Sequence, residues 1–230
     1  MPSRRDGAHA LAGDCYNDPP SWSNGSFTPA AQFIAPWNAT FGPSWIAYDG
    51  ADESAFPDAQ TADAAAAALA QLGRDGAPFF LGVGIYRPHL PWIVPPAYLA
   101  SIPDNVTVAR DPAWPDDAPA AAWSNWEELR LYSDIAALNL SQRIGDDMPD
   151  DVAVQLRRAY LAAVAFADAQ VGKVLDALDA AGLRDSTMVV FTSDHGWQLG
   201  EHAEWCVDAG AQSRAAVDSR VSPLSSPRHL

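Results

Sequence analysis

The segment from 150 to 181 constrains the fold of this chain more than any other. Leu156, Tyr160, Ala163, Ala167, Val171, Val174, Leu175 and Leu178 recur at helical spacing and make one apolar stripe. Asp150 and Asp151 suit the positive end of a helix dipole, and Gly182 suits the turn that stops it. Thr187-Met188-Val189-Val190-Phe191-Thr192 follows at once, short and rich in β-formers, and reads as a buried strand. A long helix feeding a buried strand predicts an α/β fold with a mostly parallel central sheet flanked by helices.

The upstream sequence repeats the theme less regularly. Phe79-Phe80-Leu81-Gly82-Val83-Gly84-Ile85 is a continuous apolar run, expected to be a strand covered on both faces. An Ala-rich helix is expected over Thr61 to Leu72, with Thr61 as N-cap, and helical pattern returns from Trp126 to Leu138. Trp45 to Tyr48 reads as a short strand within the loop-rich residues 1–58. Residues 207–230 lose any core pattern and are expected to be a disordered, divergent tail, leaving 1–206 as one domain.

Composition narrows the partners. A net charge of −15, with Lys173 the only lysine, argues against nucleic acid, whose phosphates need clustered cations. An anionic ligand would meet a repulsive field here, so each Arg or His near a site is informative. No apolar run is long enough to predict a membrane span. Four of six asparagines, Asn24, Asn38, Asn105 and Asn139, begin glycosylation sequons. That predicts a secretory, lysosomal or extracellular protein, although Met1 to Asp6 lacks the apolar stretch of a signal peptide. Cys15 and Cys206 make no disulfide framework.

Chemistry concentrates in two places. Ser193-Asp194-His195-Gly196 follows the 187–192 run, and strand ends are where open α/β sheets gather ligands. Asp194 and His195 together could meet one divalent cation; a plain exposed turn is the other reading. His89 lies in Tyr86-Arg87-Pro88-His89-Leu90-Pro91-Trp92, where prolines restrict the backbone on either side. Arg87 and His89 form a small cationic pair suited to a sulfate or phosphate ester, or else His89 is structural. His195 and His202 lack the further ligands of a zinc site. No G-x-S-x-G, P-loop or dinucleotide fingerprint occurs.

Three segments together resemble the sulfatase family, in its iduronate-2-sulfatase-like branch. They are Pro78 to Gly84 running into Arg87-Pro88-His89-Leu90-Pro91, the region Leu138-Asn139-Leu140-Ser141, and Phe191-Thr192-Ser193-Asp194-His195-Gly196-Trp197-Gln198-Leu199-Gly200-Glu201-His202. Tyr160 to Leu178 also resembles the long helix that precedes the family's metal strand, and the likeness spans roughly residues 14–206. The resemblance implies an alkaline-phosphatase-like fold, present here incompletely, and hydrolysis of sulfate esters with calcium and a formylglycine made from cysteine. It implies Asp194 and His195 as calcium ligands and His89 as the group that contacts the sulfate or the leaving oxygen. Sulfated, uronate-containing glycans are the implied substrates.

The departures shape the expectation. The family's Cys-x-Pro-Ser-Arg nucleophile motif does not occur; Met1-Pro2-Ser3-Arg4 echoes its end without the cysteine. After Cys206 stands Val207, where the family has lysine. The chain is therefore expected to be inactive alone, as a truncated gene product, splice form or decayed copy. The alternative is a non-catalytic, glycan-binding pseudoenzyme. A phosphate-ester hydrolase would need a Ser or Thr nucleophile and several zinc ligands, for which the sequence offers no support.

Overall fold

The computed structural model describes residues 42–206 except 51, 125, 127 and 142, together with 27 and 29. The sequons at Asn24 and Asn38, Cys15 and the 207–230 tail lie outside the described residues. Trp45–Ala47 forms β1, as its aromatic and β-branched residues predict, and Trp92–Val94 forms β2. They pair in parallel, Trp45 opposite Trp92 and Ala47 opposite Val94. Tyr48 N donates to Val94 O at 2.9 Å just beyond the pair. All of β2 is buried, whereas β1 is half-buried.

Between the strands, Pro57–Asp75 forms α1. Pro57 opens this helix, not a Thr61 cap, because proline presets the helical φ and brings no N–H to satisfy. Gly76 closes it with φ 64°, a left-handed conformation that costs glycine little. The resulting strand–helix–strand order is the α/β arrangement read from the sequence.

Pro96–Ser101 forms α2, Ser133–Ala136 forms α3 and Asp150–Ala180 forms α4, a single helix of 31 residues. Its inward face is Ala153, Leu156, Ala159, Ala162, Ala163 and Phe166, packed on α1, α2 and the two strands. Phe166 meets Phe56 and Tyr98 edge-on, with ring centroids 5.4 and 5.1 Å away. Small residues let the helices close up: a Cβ added to Gly73 of α1 would stand 2.8 Å from the Ala181 carbonyl oxygen.

Three expectations need correction. Residues 79–85 and 187–192 belong to no strand, since the sheet of the described residues contains β1 and β2 alone. Phe79, Leu81, Val83 and Ile85 are half-buried, and the intervening Phe80 is 83% exposed. Met188, Val190 and Phe191 are likewise exposed. An apolar run supplies side chains for a strand, but the ladder also needs a neighbouring backbone. Residues 126–138 form a 3₁₀ turn at Leu129–Leu131 and the short α3, not one helix. Trp126 has φ 52°, which an α-helix cannot accommodate, and its buried indole donates to Ala203 O at 2.8 Å.

Candidate functional site

The loop Tyr86–Pro91 leads directly into buried β2, so the strand holds His89 in place. His89 N donates to Tyr86 O at 3.1 Å, closing the turn, and the Trp92 indole donates to Pro88 O at 2.8 Å. The Arg87–Pro88 and Leu90–Pro91 peptides are cis. The His89 ring stacks on Tyr86 with centroids 4.6 Å apart. Its Nδ1 lies 2.7 Å from Leu90 O and 2.9 Å from the Tyr86 hydroxyl. A carbonyl can only accept, so Nδ1 carries a proton. Nε2 is the ring atom left over, 3.9 Å from Glu128 Oε2.

Below His89 the polar groups are enclosed. Asp58, in the first turn of α1, accepts from Tyr86 N at 2.6 Å and Arg87 N at 3.3 Å. Arg87, read from the sequence as half of a small cationic pair, is 7% exposed and donates through Nε to Ile93 O at 3.3 Å. Burial lowers the guanidinium pKa, and Asp58 opposes that shift. Burial raises the Asp58 carboxyl, with Arg87 and the two backbone N–H groups pulling it back. Arg87 and Asp58 thus oppose, each for the other, the cost of burying a charge. Burial also pushes the Tyr86 phenol up to about 12. The Tyr132 phenol is raised further, by burial first and then by Glu128, whose Oε1 accepts its hydroxyl proton at 2.8 Å.

Asp194 and His195 stand apart from this network. Asp194 Oδ1 accepts from His195 N at 2.9 Å, and Oδ2 lies 3.6 Å from His195 Nε2. The Asp194 side chain is 86% exposed. No hydrogen bond or ion pair joins either residue to His89. Among the described residues, no group of three or more His, Cys, Asp and Glu side chains converges to hold a metal. Calcium takes about six to eight oxygen ligands, so one carboxylate beside an imidazole does not fit it unaided. The described residues alone do not make a calcium site.

The following segment is structural. Glu204 is fully buried and accepts from Ser124 N at 3.1 Å and from the Ser124 hydroxyl. Cys206 is buried with Sγ 3.7 Å from Glu204 Oε2. Glu201 accepts from Leu199 N at 2.6 Å and from Arg157 at 3.2 Å. Burial would raise Glu201, but these hydrogen bonds and the Arg157 charge outweigh it and hold the carboxyl below its usual range.

Sequence reasoning singled out His89 but not its neighbours Glu128 and Tyr86 or the buried Asp58 beneath its loop. Tyr86 is in the same short motif as His89 and could have been singled out as its neighbour. Asp58 and Glu128 have no local signal, because they reach the loop only through the packing of α1 and of the Leu129–Leu131 turn.

Comparison with known proteins places this geometry in context. The sulfatase family model matches residues 7–222. The iduronate 2-sulfatase of Homo sapiens is 42% identical over 154 residues, which are 66% of this chain and 28% of that protein. The Mus musculus iduronate 2-sulfatase matches to the same extent. The multifunctional alkaline phosphatase superfamily protein PehA of Trinickia caryophylli is 34% identical over 134 residues, 56% of this chain and 26% of that protein. The chain thus spans little more than a quarter of the length of these three relatives.

Proposed function

Because the chain belongs to the sulfatase family, we propose that its chemistry is sulfate-ester hydrolysis of the iduronate 2-sulfatase type. The substrate is a sulfated, uronate-containing glycan, and His89 meets the sulfo group or the leaving oxygen. One observation carries this reading. The Leu90 carbonyl and the Tyr86 ring hold the His89 imidazole, which leaves Nε2 for a ligand. Cleaving a sulfate ester depends on positioning and on neutralising charge at the sulfo oxygens. A ring held on one edge meets the positioning requirement without reorganising.

Asp194 and His195 are the share this chain brings to a calcium ion, the remaining oxygens coming from beyond the described residues. Calcium would supply Lewis-acid neutralisation of sulfo oxygens. The sequence holds no Cys-x-Pro-Ser-Arg motif, so this polypeptide alone turns over negligibly. The exposed Asn105 and Asn139 sequons support a secretory location, and among the described residues no helix is long and apolar enough to cross a membrane.

The test combines turnover and binding. The chain and its His89→Ala variant are incubated with an aryl sulfate and with a uronate 2-sulfate disaccharide, with calcium present or chelated. Turnover indistinguishable from the variant is expected. Disaccharide binding should weaken about tenfold or more in His89→Ala, as for the loss of one charge-assisted hydrogen bond. Turnover well above the variant would refute the inactivity, and equal binding by the two proteins would remove His89 from the site.

A further inference from the structure

We infer that Asn105 and Asn139 each carry an N-linked oligosaccharide. The inference rests on the secretory placement proposed above and is independent of the sulfatase chemistry. Ser and Thr are about a tenth of the residues, so six randomly placed asparagines would give about one sequon or none. Four of the six begin one, and two of these, Asn105-Val106-Thr107 and Asn139-Leu140-Ser141, lie among the described residues.

Both sequons turn the asparagine outward. Val106 is half-buried, Val108 packs against the core and Ala109 is buried, while Asn105 and Thr107 are exposed. Leu138 and Leu140 pack against the core in the same way, which leaves Asn139 and Ser141 exposed. Arg158 of α4 ties down the turn before Asn105, donating to Asp104 Oδ1 at 2.8 Å and to Ile102 O at 3.4 Å. The Asn139 N–H donates to Ala136 O at 3.2 Å, and the Ser141 hydroxyl donates to the Asp146 carboxylate. Asn139 has φ 50°, which asparagine tolerates better than most residues, so turn geometry alone accounts for an asparagine there. Asn105 has no such duty. Its φ is not positive, and among the described residues neither its side chain nor that of Thr107 makes a hydrogen bond. An exposed amide with no partner to lose takes a bulky, solubilising substituent without disturbing the core. The donor is an oligosaccharide esterified to a lipid diphosphate, brought by a transferase of the secretory pathway. The asparagine Nδ2 bonds to the anomeric carbon, the carbon–oxygen bond to the diphosphate breaks, the lipid diphosphate leaves, and the amide releases one proton.

The test reads the two asparagines directly. The chain is purified from the secretory fraction of the cells that make it. Peptides spanning each sequon are weighed before and after peptide N-glycosidase treatment in heavy-oxygen water. Glycopeptides are expected before treatment, and aspartate carrying heavy oxygen at both positions after it. Thr107→Ala and Ser141→Ala keep the asparagines, and each should lose its own glycan alone, seen as a one-glycan gain in gel mobility. An unmodified Asn105 in chain from that fraction would overturn the assignment and leave the secretory placement standing. An unmodified Asn139 beside a glycosylated Asn105 would strike the second site alone. A chain confined to the cytosol and unmodified would overturn both glycosylation and placement. The turnover and binding assays with His89→Ala decide the sulfatase reading separately.

Discussion

Asp58 illustrates how a single carboxylate can organise a loop it does not belong to. It is 3% exposed, takes two backbone N–H groups of the His89 loop, and is the charge that faces buried Arg87. Removing one partner of a buried charge pair leaves the other uncompensated, which costs about 3–5 kcal/mol. Asp58→Ala is therefore expected to lower the unfolding free energy by about 3 kcal/mol, read from the urea midpoint. Asp58→Asn keeps an acceptor for the backbone and should lose less, about 1–2 kcal/mol. Equal, small losses in both would mean that Arg87 finds its balance elsewhere. The motif in sequence displayed Arg87 beside His89 as a cationic pair. Nothing local showed the aspartate, 29 positions before Arg87, that turns that cation inward.

At the scale of elements, the long helix α4 is tied to the turn before α1 by one acidic side chain. Glu53, in the 3₁₀ turn Glu53–Ala55, accepts from Lys173 at 3.0 Å, Gln170 at 3.1 Å and the Tyr98 hydroxyl at 3.1 Å. Burial pushes its pKa up, but the bonds to Lys173 and Gln170, the lysine charge and the Tyr98 bond prevail and lower it. Glu201 is lowered in the same way through Leu199 and Arg157. A carboxyl depressed on folding contributes stability above its unfolded value, roughly 4.3, and loses it as pH falls through the folded value. The melting temperature should thus fall steeply below about pH 4, and Glu53→Gln should flatten that acid limb while lowering stability near neutrality. An acid limb unchanged in Glu53→Gln would exclude the clamp. Periodicity made α1 and α4 readable, since a helix satisfies its own backbone. Residues 79–85 and 187–192 carry strand-like side chains yet form no ladder among the described residues.

For the molecule as a whole, those unladdered segments leave apolar surface in the open. Met188 is 80%, Val190 64% and Phe191 79% exposed on consecutive stretches of chain. Contiguous apolar patches and unpaired edges drive association. The chain is expected to sediment with concentration-dependent mass, and the Met188→Lys, Val190→Asp double variant to shift it towards monomer without lowering the melting temperature. Mass independent of concentration in the wild type would show that the patch drives no association. Sequence alone determined the long helix and the glycine beyond it, the proline-flanked loop of His89 and the membership of the sulfatase family. Each of these is written in spacing or in a short contiguous motif. Only the tertiary structure decided that β2 pairs with β1, that Asp58 takes the backbone N–H groups of Tyr86 and Arg87, and that Glu128 faces His89. Those contacts join residues far apart in the chain, and a residue's neighbours across a packed core depend on how whole elements settle against one another, which no local pattern records.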